Sequence, residues 1–132
     1  MQREPLIGTF RIGDPARESE GLRIATTRRP PRGVPKERWT KDGWFDVWLP
    51  VVAPSAELLA SHRRLLDEDA TWRRFARAYL AEMEKLEARQ TIDFLAHLGQ
   101  RLRISVGCYC EDEAHCHRSL LRRAIEERIP GA

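Results

Sequence analysis

Long apolar runs are missing from this 132-residue chain. Nothing in it approaches the ~18 consecutive apolar residues of a membrane span, so no membrane partner is expected. Cysteine is scarce and odd in number, with three residues, which speaks against a disulfide framework and leaves reduced thiols or metal ligands. The segment Met1-Gln2-Arg3-Glu4-Pro5 has no apolar stretch of the kind that opens a secretory signal, and a cytoplasmic location is expected. Internal repeats, low-complexity tracts and a dividing linker are all absent, so residues 1–132 are expected to form one domain.

With 42% hydrophobic and 33% charged residues, enough apolar material is present for a self-sufficient core. The net charge of +3 is unevenly spread. Residues 22–41 hold Arg23, Arg28, Arg29, Arg32, Lys36, Arg38 and Lys41 against the single acid Glu37, a local +6 that leaves −3 elsewhere. A basic segment on a mildly acidic body points to an anionic partner, a phosphate-bearing small molecule or a nucleic acid.

Leu6–Ile12 and Leu22–Thr27 read as strands, the second alternating Leu22, Ile24, Thr26 against Arg23, Ala25, Thr27. The prolines of residues 30–35 cannot continue a ladder. Trp44–Pro50 is aromatic enough for a short strand or a packed loop, and Trp39, Trp44 and Trp48 serve either as core anchors or as stacking platforms for a base.

Ser55 is a good N-cap for a helix carrying Leu58, Leu59, His62, Leu65 and Leu66, which should end near Asp67 to Asp69. A second helix carries Trp72, Phe75, Tyr79, Leu80, Met83 and Leu86, with Asp69 or Thr71 as its cap. A third carries Ile92, Leu95, Ala96 and Leu98 and ends at Gly99. Residues 102–110 read as a buried, central parallel strand, and residues 117–128 as a helix striped by Leu120, Leu121, Ala124 and Ile125. Strands separated by helices imply an α/β fold, a three-layer α/β/α sandwich with a small, mostly parallel sheet.

The densest chemistry lies at the junction of that last strand and helix. Cys110-Glu111-Asp112-Glu113-Ala114-His115-Cys116-His117-Arg118 holds two thiols, two imidazoles and a guanidinium, where α/β folds hold ligands. One reading binds an anion at the helix start, with His117 and Arg118 opposite Arg29 and Arg32 of the basic segment. A second makes Cys110 or Cys116 a reactive thiolate, with Glu111 or His117 in acid/base or orienting roles. The Cys-x5-Arg phosphatase loop is not available to it, because the position six before Arg118 is Asp112. A third gives zinc some of Cys108, Cys110, His115, Cys116 and His117, although Cys-x-Cys and Cys-x5-Cys match no common structural zinc spacing. Simple packing of the cysteines, and a protein-interaction module without catalysis, remain beside these. No metal or cofactor is assigned by the residues alone, and enzyme activity is left open.

The same residues resemble the DUF488 family, in which a strand ending in Cys-Glu is followed by Cys-His-Arg-x-x-Leu, here Cys110-Glu111 and Cys116-His117-Arg118-Ser119-Leu120-Leu121. Further matching segments are Arg29 to Lys36 with its Pro31-Arg32-Gly33, Trp48 to Leu58 with its Ala53-Pro54-Ser55, and Phe75-x-x-x-Tyr79-Leu80. The resemblance implies an α/β sandwich with a site shared between the arginine segment and the Cys-His-Arg turn, and it implies no particular reaction. Thr26-Thr27 stands where relatives often carry an acid. Cys108 lies outside the shared pattern, which counts against it as a family ligand.

Overall fold

The computed structural model describes residues 6–62 and 68–130. Leu65, Leu66 and the expected end of the first helix lie outside the described residues, as do Met1–Pro5. Four parallel strands form one sheet: β1 (Gly8–Arg11), β2 (Leu22–Ala25), β3 (Val47–Trp48) and β4 (Ile104–Cys108), in the order β1-β4-β2-β3. The four helices are α1 (Ala56–His62), α2 (Asp69–Glu82), α3 (Leu86–Arg101) and α4 (His117–Glu127).

β4 is interior, as its apolar run requires, pairing Ser105 with Gly8 and Ile104 with Leu22. All five of its residues are buried, and alternation divides them between two environments. Ile104 and Val106 join Ile24 and the buried residues of all four helices, among them Leu58, Phe75, Tyr79, Ile92, Leu121 and Ile125, in the main core. Ser105 and Gly107 face the other way, where Phe10, Ile12, Ala25, Trp39 and Phe45 form a smaller core.

That second face is covered by loop and short 3-10 turns instead of long helices. The reason is the chain itself: the β1–β2 link is brief, and the β2–β3 link carries Pro30, Pro31 and Pro35. Both forward crossovers lie on this side and the return from β3 to β4 through α1–α3 lies on the other, so every crossover has the same hand.

Arg23 leaves the basic segment to serve this layer. It is 3% exposed, its guanidinium sits 4.1 Å above the Phe10 ring centroid, and it donates to the carbonyls of Gly43 (2.6 Å), Trp44 (3.2 Å) and Asp14 (3.1 Å). Trp39 packs on Phe45 with ring centroids 4.7 Å apart, and the Trp48 indole donates to the Thr27 carbonyl at 2.8 Å. Trp39 and Trp48 therefore anchor the fold.

Helix boundaries differ from expectation in three places. α2 opens after Glu68, with no side-chain cap from the expected Asp69 or Thr71, and Leu86 opens α3 instead of closing α2. α3 runs through Gly99 to Arg101, because there the helix passes so near the entry to β1 that a Cβ would meet Ile7 Cδ1 at 2.8 Å. The glycine is a close-approach residue and not a C-terminal stop. Ser55 does cap α1, accepting from Leu58 N at 3.1 Å, and Glu82 of α2 ties the same serine through its backbone N–H at 2.9 Å and through its hydroxyl.

Candidate functional site

Beyond the end of β4 the chain still alternates, so Cys108 and Cys110 point to the same side with sulfurs 3.7 Å apart. The chain then folds back. Asp112 accepts from Ala114 N at 3.0 Å and contacts His115 Nδ1 at 3.0 Å, shaping a 3-10 turn over Glu113–His115 that Thr9 anchors by donating to Glu113 at 2.8 Å. This return brings Cys116, 1% exposed at the cap of α4, to the other two cysteines. All three sulfurs lie within 4.8 Å of one another. Cys110 is the exposed member, while Cys108 and Cys116 are buried.

His117 and Arg118 both turn inward, each 4% exposed. The Thr26 hydroxyl donates to the Gly107 carbonyl at 2.9 Å, so it offers only a lone pair to His117 Nε2, 3.0 Å away; the Thr26 carbonyl, at 2.7 Å, can only accept. Nε2 therefore carries the proton, and Nδ1 presents its lone pair 3.8 Å from Cys116 Sγ. Burial lowers the imidazole pKa to about 4 in spite of the Thr26 contact, which keeps the ring neutral near pH 7. Arg118 Nη1 donates to the Cys110 carbonyl at 2.7 Å and lies 3.6 Å from Cys116 Sγ, and its Nε has no partner among the described residues.

The three thiols share protons unequally. Cys110 is pulled far below the ordinary thiol range by hydrogen bonds from Cys108 and then Cys116, with the charges of His117 and Arg118 adding less. With His117 neutral, the permanent charge of Arg118 is the one that persists near pH 7. Cys108 is pushed up to about 11, chiefly by its bond to Cys110, and Cys116 is raised by its bonds to Cys108 and Cys110 and by burial.

These groups form part of the wall of a pocket of about 530 Å3 at the carboxyl ends of β2 and β4. Thr27, Arg28 and Arg29 follow β2 into it, Pro54, Leu59 and Phe75 supply apolar surface, and the three cysteines with His115 and His117 complete it. Arg28 donates to the Pro50 carbonyl at 3.2 Å, while the Arg29 side chain has no hydrogen-bond or ion-pair partner among the described residues. Of the residues the sequence singled out, the pocket brings together Arg29, Cys108, Cys110, His115, Cys116 and His117. Arg32 and Glu111 are not in its lining; Glu111 is 84% exposed beside Arg11 at 3.3 Å. Arg118 stands behind the turn and borders a neighbouring depression with Arg11 and Glu113. Thr26, the hinge of the His117 contacts, was not among the expected site residues; its signals in the sequence are its place at the end of a strand and its position where the resemblance leads to an acid.

Residues 7–129 match a family described as the active DUF488-N3 subclade. This chain belongs to the DUF488 family. A relative in Escherichia coli (strain K12), the uncharacterized protein YeaO, is 37% identical over 78 residues, 58% of this chain; the match spans 61% of that relative's length. No solved structure matches.

The DUF488 segments, far apart in sequence, meet at the one pocket. Arg29 comes from the arginine segment, Pro54 from Ala53-Pro54-Ser55, Phe75 from the Phe-x-x-x-Tyr-Leu helix, and Cys110, Cys116 and His117 from the single cysteine-rich segment. The motif residues that stay outside the lining brace it: the buried Tyr79 hydroxyl donates to the Val52 carbonyl at 2.7 Å, and its ring lies 5.5 Å from that of His117.

Proposed function

We propose that the pocket binds a phosphate-bearing ligand of the nucleotide class, with Arg28 and Arg29 taking the phosphate and the apolar wall taking a flat ring. The observation that carries this reading is the convergence of four separate DUF488 segments on a single cavity that is apolar over most of its wall and cationic at one side. Such a division suits an amphiphilic anion. It favours a ligand site over a surface that only docks another protein. His117 and Arg118, which the sequence offered as direct anion contacts, support the ligand indirectly in this reading, by holding the turn that carries the thiols.

Calorimetric titration with nucleoside mono-, di- and triphosphates and with short oligonucleotides tests it. Arg29→Ala is expected to weaken binding of the best ligand by about 1.5–3 kcal/mol, the range for a lost hydrogen bond to a charged group. Affinity should fall as salt is raised, steeply for an oligonucleotide that releases counterions. Negligible binding by the unmodified chain, or binding that neither salt nor Arg29→Ala alters, removes the reading.

The clustering of three thiols on the same wall favours a second reading, in which the pocket is a reaction chamber and a thiol takes part in chemistry on the bound ligand. Mass-spectrometric mapping after brief iodoacetamide treatment checks its premise: Cys110 should be alkylated first and the buried Cys116 last. Nucleotide should slow the reaction at Cys110. Alkylation that ignores saturating ligand would separate the thiols from the ligand site.

A further inference from the structure

We propose that Cys108, Cys110 and Cys116 form a three-thiolate site for a soft cation, zinc foremost, whose fourth coordination position opens into the pocket. The sulfurs are already gathered, all within 4.8 Å and two of them 3.7 Å apart. A zinc ion with Zn–S bonds of about 2.3 Å at tetrahedral angles sets its sulfurs about 3.8 Å from each other. Only small side-chain movements separate the observed cluster from that spacing. The scaffold fixes it from two directions, since strand alternation sets Cys108 beside Cys110 and the Asp112-capped turn returns Cys116.

A second observation is independent of the sulfur spacing. Arg118 is a guanidinium 4% exposed, with no carboxylate within ion-pair distance among the described residues. A buried cation is costly unless it is paired, and among the described residues the only partners within its reach are those of the thiol cluster. Its Nη1 instead reaches the Cys110 carbonyl at 2.7 Å and lies 3.6 Å from Cys116 Sγ. Three thiolates around a divalent cation carry one net negative charge, and Arg118 neutralises it from the outer shell, where groups that hydrogen-bond to ligands tune metal affinity.

Closed structural zinc sites take four protein ligands, whereas three leave a position for water or substrate. Here all three cysteines line the pocket, which supplies both an entry path and room at the fourth position.

The test reads metal alone and does not depend on the pocket's organic ligand. Reduced, metal-free protein is titrated with Zn2+ against a chromophoric chelator and, separately, with Co2+. The expected result is one ion per chain, a thiolate-to-cobalt charge-transfer band in the near ultraviolet, and zinc protection of Cys110 from alkylation. Loss of an outer-shell partner costs about 10–100-fold in metal affinity; Arg118→Gln should fall in that range and Cys108→Ser beyond it, while His97→Gln, at an exposed position of α3, should leave affinity unchanged. Because Cys108 is buried, Cys110→Ser at the exposed position repeats the ligand test with less risk to folding, and circular dichroism confirms that each variant is folded. Folded protein that shows no cobalt–thiolate band, or zinc affinity equal in the unmodified chain and both serine variants, overturns the proposal.

Discussion

Gly107→Ala is expected to destabilise the protein by about 1–3 kcal/mol, the usual cost of forcing a methyl group into a filled core. A Cβ at this position would overlap the ring of Phe10, which lies across from it in the β1–β4 register. The ring cannot retreat freely, because the Arg23 guanidinium rests 4.1 Å above it and is itself held by three backbone carbonyls. Phe10→Ala alone should cost about 3–5 kcal/mol through the cavity it leaves. The double variant is where the argument is exposed, since the added methyl group occupies part of that cavity. Urea unfolding of all four proteins should give a double-variant loss smaller than the sum of the single losses, with a coupling of about 0.5–3 kcal/mol for residues in contact. Strict additivity would mean that glycine is present at 107 for some reason other than the Phe10 ring.

The interior strand and the helix behind it were legible because each carries its own burial signal. A largely apolar run marks β4, and the Leu121 and Ile125 pair marks α4. What periodicity cannot supply is which side of the sheet a crossover takes, so the layer opposite the helices, and the role of Arg23 within it, emerged only from the folded chain. Arg23 looks like a surface cation because charge is read locally, while its burial depends on carbonyls from residues 14, 43 and 44 that no local pattern connects. Gly99 misled for a related reason. A glycine near a helix end usually marks a stop, but here the constraint comes from Ile7, far away in the sequence.

The site divides the same way. The cysteine-rich junction and its position at a strand end were readable from spacing, and the segments of the DUF488 resemblance named most of the walls. The directions of His117 and Arg118 were not read, although a clue was present. His117 stands four residues before Leu121 and eight before Ile125, and Arg118 three before Leu121, so both belong to the buried stripe of α4 and not to a face open to ligand. The first turn of a helix suits anion contacts, but burial of that stripe takes precedence here.

His117→Ala should therefore act mainly on folding, at about 3 kcal/mol, combining a truncation cavity with a buried carbonyl left without its donor. The Thr26 carbonyl receives His117 Nε2 at 2.7 Å, and the Thr26 hydroxyl, committed to Gly107, cannot turn to replace it. His117→Gln keeps an N–H that can reach the same carbonyl while giving up the ring packed near Tyr79. It is expected to recover about 1 kcal/mol of the loss, the net value of an ordinary hydrogen bond. Thermal and urea unfolding of the two variants separate the two contributions. Recovery by glutamine assigns the role of His117 to the bond that ties α4 to the end of β2, and hence to the alignment of Cys116 with the pocket. Equal losses would assign it to ring packing against Tyr79, in which case the neutral, proton-bearing Nε2 positions nothing and the turn is held by Arg118 and the Asp112 cap alone.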